Sequence, residues 1–206
     1  MQLTIDSVPH DVAGATVGEV LELAARRAEE AGRLIVEVVV NGTPWDSDAL
    51  GDEARLAAPA ERLDVVTEDR IDVVRRPLLD AIAALDDVER LQRESAEALQ
   101  ADRRIEAYPK LQDAIDVWLD VRQAAVMSAT MLEVDLERLR DELPAAAAAF
   151  GDLERLLHAL LAAIRDQDTV GTTDTLLYEM PDVIDRWRSV LEDLVRRAES
   201  GREPAA

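Results

Sequence analysis

Glu154 and His158 stand four residues apart, a spacing that brings two side chains together on one face of a helix and offers a carboxylate and an imidazole to a metal or a proton. A di-iron bundle needs Glu-x-x-His on two helices and two further inward glutamates. Here the pair occurs once and at the wrong spacing, and the other histidine, His10, lies in a segment of different pattern. His158 falls beside the apolar stripe of its helix and reads as a boundary residue. Asp46, Asp48, Asp52 and Glu53 could collect Ca²⁺, but their spacing is not that of an EF-hand loop and no glutamate closes it at the required position, so a solvated loop is expected. The chain has no cysteine, which excludes disulfides, thiolate catalysis and zinc held by sulfur. It has no glycine-rich phosphate loop, no Gly-x-Ser-x-Gly elbow and no His-Glu-x-x-His helix. No catalytic residue, cofactor or metal is assigned, and folding is expected to need no metal. A bundle enzyme or metal carrier using inward carboxylates with His158 is the alternative reading.

Aromatic residues make up only 3% of the chain, so their positions carry weight. Tyr108, Trp118, Tyr178 and Trp187 all fall on or beside helix seams. They read either as core anchors or as the rims of a groove between two helices suited to a partner helix. Trp45 follows an Asn-Gly-Thr-Pro turn and is expected either to plug a junction between domains or to form an exposed contact. A net charge of −21, with no basic run longer than two, argues against nucleic acid and against anionic membrane surfaces. Lys110 is the only lysine, and the arginine usage reads as the codon bias of a GC-rich bacterial genome. No apolar run approaches the roughly 18 residues of a membrane span, and the amino terminus lacks the pattern of a signal peptide, so a cytoplasmic protein is expected.

Two kinds of element must position these residues. Gln2 to Asp6 alternates as a short strand, and Val8 to Asp11 reads as a turn. Thr16 with Glu19 forms a capping-box pair ahead of an apolar stripe at Val17, Val20, Leu21, Ala24, Ala25 and Ala28, which Gly32 closes. Leu34 to Val40 is a β-branched run expected to lie centrally in its sheet and to be covered on most of its surface. Asn41-Gly42 marks a tight turn, and Arg62 to Thr67 alternates as a last strand.

This order resembles the ubiquitin-like β-grasp superfamily over residues 1–69. The resemblance is carried by Met1-Gln2-Leu3, the helix over 16–31, Leu34 to Gly42 and Leu63 to Val66. The second strand of the usual hairpin would have to lie in Val12 to Ala15, which leaves the sheet reduced, to as few as three strands. Members that act as modifiers end in an exposed Gly-Gly carboxylate, whereas this chain continues past Asp69 and ends Pro204-Ala205-Ala206. The resemblance therefore implies a fold and not conjugation or sulfur transfer.

From Ile71 on, only helical periodicity remains. A first helix has its seam at Ile71, Val74, Leu78, Ala81, Leu85, Val88, Gln92, Ser95 and Leu99. A second has Tyr108, Leu111, Ile115, Trp118, Arg122, Ala125, Ala129, Leu132, Leu136, Leu139 and Leu143, about 36 residues or roughly 54 Å if unbroken, with a bend at Ser128 to Thr130 as the alternative. A third starts at Pro144 and carries Ala146, Phe150, Leu153, Leu157, Leu160 and Ile164, with Leu156 and Leu161 beside them, and is expected to be the most buried. The fourth runs from an Asp168 cap through Val170, Thr173, Leu177, Met180, Ile184, Trp187, Leu191, Leu194 and Ala198, with Pro181 as a kink inside it. Ile184-Asp185-Arg186-Trp187 echoes Ile115-Asp116-Val117-Trp118, which reads either as two duplicated helical hairpins or as chance recurrence of common residues.

The expected protein is α+β: a small, reduced β-grasp-like module over 1–69, an antiparallel four-helix bundle over 70–199 and a disordered tail over 200–206. Only Glu68 to Asp72 separate strand from helix, too short a junction for independent tumbling. The expected function is non-enzymatic binding of a partner protein or of a second copy. The candidate contacts are Trp45, Tyr108, Trp118, Leu132, Leu136, Leu139, Tyr178 and Trp187. A straight second helix would leave Leu132, Leu136 and Leu139 as an apolar stripe for a homodimer. Acidity and helix content also resemble those of secretion and flagellar export chaperones.

Overall fold

The computed structural model describes residues 1–12, 16–132, 134 and 144–200, with the backbone alone over 144–147. The protein is α+β, with an amino-terminal mixed sheet of five strands followed by a helix-rich region. The chain divides into two compact units, Met1–Val73 and Val74–Ala206.

In the first unit, β1 (Gln2–Ile5) and β2 (Val8–His10) pair antiparallel, with Ile5 opposite Val8 and Leu3 opposite His10. The expected turn at Val8 to Asp11 is therefore a strand, and the partner of β1 precedes Val12. The reversal occurs at Asp6 and Ser7, whose φ values of 50° and 67° are those of a two-residue loop matched to the right-handed twist of a hairpin. Asp6 is held there from outside the loop. Its carboxylate accepts from the Thr67 N–H and the Thr67 hydroxyl, both at 2.7 Å, and faces the Arg33 guanidinium at 3.3 Å. These contacts, led by the Thr67 N–H, keep its carboxyl below the ordinary aspartate range.

Helix α1 (Val17–Glu30) opens on the expected capping box, with reciprocal hydrogen bonds between Thr16 and Glu19, and Gly32 follows it at a φ of 68°. Its stripe of Val17, Val20 and Ala24 covers one face of the sheet against Leu3, Val38, Val40, Leu63 and Val65. Strand β3 (Arg33–Val40) turns through Asn41-Gly42, both at positive φ, into β4 (Thr43–Pro44). Two helical turns, α2 (Ser47–Leu50) and α3 (Glu53–Leu56), precede β5 (Arg62–Asp69). The sheet order is β2-β1-β5-β3-β4, with β1 and β5 parallel and the other pairs antiparallel. The middle strand is therefore β5, and β3 is less covered than expected, because a bulge between Ile35 and Glu37 turns Val36 outward. Proline stands in both edge strands, Pro9 in β2 and Pro44 in β4.

The acids of the expected solvated loop have a structural task. Asp46 caps α2 by accepting from the Ala49 N–H at 2.9 Å, and Asp52 caps α3 by accepting from the N–H groups of Ala54 and Arg55.

The second unit is built from α4 (Arg70–Gln100), α5 (Arg104–Met131), α6 (Pro144–Arg165), α7 (Thr169–Asp174) and α8 (Met180–Ser200). The expected seam of α4 is buried from Val74 to Leu99. In α5 the buried line is Ala107, Leu111, Ala114, Trp118, Val121, Ala125 and Ser128, so Tyr108, Ile115 and Arg122 give way to their neighbours. Turning the helix by that amount inserts small alanines, lets α5 approach closely, and leaves the Arg122 charge in water.

Nor does α5 continue to Leu143. It ends at Met131, where the Leu132 N–H bonds to the Ser128 carbonyl and the Val134 N–H to the Ala129 carbonyl. The stripe expected to mediate a homodimer thus loses its continuous helix. Leu132 is half-buried against the core, and Leu136 and Leu139 lie outside the described residues. The tail over 201–206 does too.

Helix α6 is less buried than expected. Ala149, Leu153, Leu156 and Leu160 face the core, while Leu157 is half-buried and Leu161 is exposed. Asp168 caps α7 as expected, accepting from the Gly171 N–H at 2.9 Å, but Val170 points out of the seam and is 71% exposed. The chain stays helical through Pro181, with a π turn at Thr175–Glu179 just before it, closed by the Met180 N–H on the Thr175 carbonyl. A proline ring clashes with the carbonyl four residues back, here that of Leu177, and the wider turn makes room for it.

One apolar cluster joins α4, α5, α6 and α8 around Leu85, Trp118, Leu156 and Trp187, and another gathers Leu99, Leu111, Leu160 and Leu176. Buried Gln92 and Ser95 lie on α4 between its contributions to the two, and Ser95 donates to the Ala107 carbonyl at 3.0 Å. Several helix acids pair with arginine on exposed faces, as with Arg90 and Asp87 or Arg188 and Asp86, both at 2.7 Å.

Candidate functional site

The two tryptophans of the repeated Ile-Asp-x-Trp segment meet in the core of the helical unit. Trp118 on α5 and Trp187 on α8 pack edge to face with centroids 5.8 Å apart, and Phe150 of α6 lies 4.6 Å from Trp187. They fill the seam between α5 and α8 that the sequence marks as a rimmed groove. Trp187 is fully buried, and its indole donates to the Ala149 carbonyl at 3.0 Å. Trp118 is 1% exposed, and its indole N–H has no acceptor among the described residues.

The opening lies one helix over, between α5 and α6. Trp118, Phe150, Leu153 and Trp187 floor a groove of about 340 Å³. Its walls follow from the two helical registers just described. On α5, Leu119 and Arg122 point outward because Trp118 and Val121 take the core. On α6, Leu157 and Leu161 are left on the groove side because Leu156 and Leu160 take the core. Leu119 and Leu161 are each 53% exposed, a large share for leucine beside an aromatic floor. Glu154 and His158, four residues apart on α6, line the same wall. They are exposed and make no hydrogen bond or ion pair among the described residues, and no group of three or more potential metal ligands occurs among these residues.

The remaining candidates lie elsewhere. Trp45 is half-buried against the core of the first unit, and its backbone N–H donates to the Val38 carbonyl at 2.9 Å. Tyr108 faces outward near the start of α5, and Tyr178 is 71% exposed on the π turn. Neither lines the groove. A shallower depression of about 310 Å³ between α4 and α5 has an alanine-rich floor with Asp80 and Asp120 in its lining. None of the described helices is long and apolar enough to cross a membrane.

Sequence reading missed Leu119, Phe150, Leu157 and Leu161 as a set. The signal available was the apolar character of α6 over more than half its circumference, which one buried face cannot use up. Comparison with family models, curated proteins and solved structures finds no match to this chain.

Proposed function

We propose that this chain is a non-enzymatic interaction protein, a β-grasp-like module followed by an antiparallel four-helix bundle, which docks an apolar helix of a partner protein between α5 and α6. Support for the first part is the strand order β2-β1-β5-β3-β4, with β1 parallel to β5 and α1 across one face. Support for the second is the pair of short links, 101–103 and 166–168, which favour antiparallel neighbours.

The observation that carries the docking reading is the pair of half-exposed leucines, Leu119 and Leu161, flanking an aromatic floor. Full burial of a leucine is worth about 1.5–3 kcal/mol, so completing the burial of both contributes about 2 kcal/mol, and the floor adds to it. An apolar stripe at helical spacing is the complementary shape.

The test is cross-linking with mass spectrometry in the native host, comparing the wild type with Leu119→Asp/Leu161→Asp. A specific partner captured by the wild type should be lost in the double variant while the circular dichroism spectrum is unchanged. Capture of the same partner by both proteins would rule the groove out as the docking site.

A further inference from the structure

We propose that α7 has two registers one residue apart, and that Pro181 is the latch that holds it in the one seen, by keeping the wide turn at Thr175–Glu179 in place.

An α-helix stacks residues three and four apart on one face, whereas a π turn stacks residues five apart. Counting back from buried Met180, the wide turn brings Thr175 and then Thr172 beneath it, and both are buried. A continuous α-helix would instead bring Leu177, Thr173 and Val170 to that face. Between the two counts, the segment before Met180 turns by about 100°, the angle of one residue. Val170, now 71% exposed, would move toward the core, half-buried Leu177 would turn further in, and Thr175 would go out to water.

By residue type the second register is the better one. It buries a valine and a leucine where the register seen buries Thr172 and Thr175. Nor do the threonines tie α7 to its neighbours. The Thr172 and Thr173 hydroxyls donate to the Asp168 and Thr169 carbonyls at 2.7 Å, and the Thr175 hydroxyl donates to the Glu179 carboxylate at 3.3 Å, all within the segment itself. Such bonds turn with the helix and select no register.

The register seen is held at its two ends. At one, a continuous helix would drive the Pro181 ring into the Leu177 carbonyl and leave that carbonyl without its donor. At the other, Asp168 caps α7 through the Gly171 N–H, and a Cβ at Gly171 would run into the same carboxylate. Moving α7 on by one residue brings Thr169 to the cap, a residue type suited to it, while the link over 166–168 takes up the residue that the wide turn gives back. The cap is replaceable in this way and the proline ring is not.

The chain has no cysteine, so single thiols report on each face of α7. Val170→Cys and Thr175→Cys, each with and without Pro181→Ala, are treated with a maleimide under native conditions. With Pro181 in place, the thiol at position 170 should react about tenfold faster or more than the thiol at position 175, where the threonine is 6% exposed. With Pro181→Ala the order should reverse, and the helical circular dichroism signal should be kept. The same order with and without the proline would overturn the proposal. So would fast reaction at both positions in the Pro181→Ala background, which marks fraying of α7 and not a second register, and so would loss of the helical signal, because the continuous helix would then not have formed.

Discussion

Trp118 and Trp187 make a controlled experiment within one core. Both indoles are buried and they touch one another, but Trp187 donates to the Ala149 carbonyl and Trp118 has no acceptor among the described residues. Replacing either by phenylalanine keeps an aromatic ring and removes the N–H together with the excess volume of the indole. A residual cavity costs about 24 cal/mol per Å³, so a few tens of Å³ cost about 1 kcal/mol, and lost transfer free energy adds a similar amount at each site. At Trp187 a satisfied hydrogen bond is lost as well, worth about 1 kcal/mol, for a total near 3 kcal/mol. At Trp118 the variant removes a buried donor with no partner, which recovers about 1–3 kcal/mol and brings the net change close to zero. Urea unfolding followed at 222 nm, with the slope checked for constancy, should show the difference directly. In thermal melts it corresponds to a gap of roughly 6–12 °C for a protein of this size. If Trp118→Phe proves as destabilising as Trp187→Phe, the Trp118 indole has a partner in solution, and the reasoning about its unmet donor falls.

The first unit should lose stability in acid. Asp6 is held below the ordinary aspartate range chiefly by the Thr67 N–H, and Asp64 by hydrogen bonds from Arg62 and then Thr4. Their contribution is thus complete above the unfolded-state value and disappears as pH falls through the lower folded values; hydrogen exchange of β5 amides between pH 5 and pH 2 should show it, and Asp6→Asn should flatten the dependence. Thr16→Ala removes one half of the capping box and should destabilise this unit by about 1 kcal/mol in urea titrations, with Thr16→Ser restoring most of it. Leu119→Asp and Leu161→Asp should each cost about 1 kcal/mol because each side chain is already about half buried, whereas Leu153→Asp at the buried floor should unfold the helical unit.

What the sequence discloses is whatever is settled within a few residues. The Thr16–Glu19 box, the Asp168 cap and the Asn41-Gly42 turn are local hydrogen-bonding or dihedral preferences, and each stands where its residue type places it. The seams of α4 and α8 are legible because polar residues fill the other faces and leave only one register.

Three features were hidden because distant contacts decide them. The Asp6-Ser7 reversal has no glycine and depends on Thr67, so nothing near it in the chain announces a hairpin. The register of α5 is ambiguous because apolar residues surround it, and the choice between Ala114 and Ile115 is made by how closely its neighbours approach. The groove arises from the same ambiguity. Trp118 and Leu156 each belong to an apolar run, and only packing determines that Leu119, Leu157 and Leu161 are the ones left facing out.

Pro9 and Pro44 stand in the two outermost strands of the sheet, and those strands span only Val8–His10 and Thr43–Pro44. A residue without an N–H cannot complete a ladder with an incoming strand, so neither side of the sheet offers a template for another chain to extend. Growth of fibrils from this unit is blocked at both ends, and any association through it has to use side chains on its faces. Replacing both prolines with threonine would restore the missing donors, and the resulting protein should begin to bind thioflavin on prolonged incubation at concentrations where the wild type stays clear.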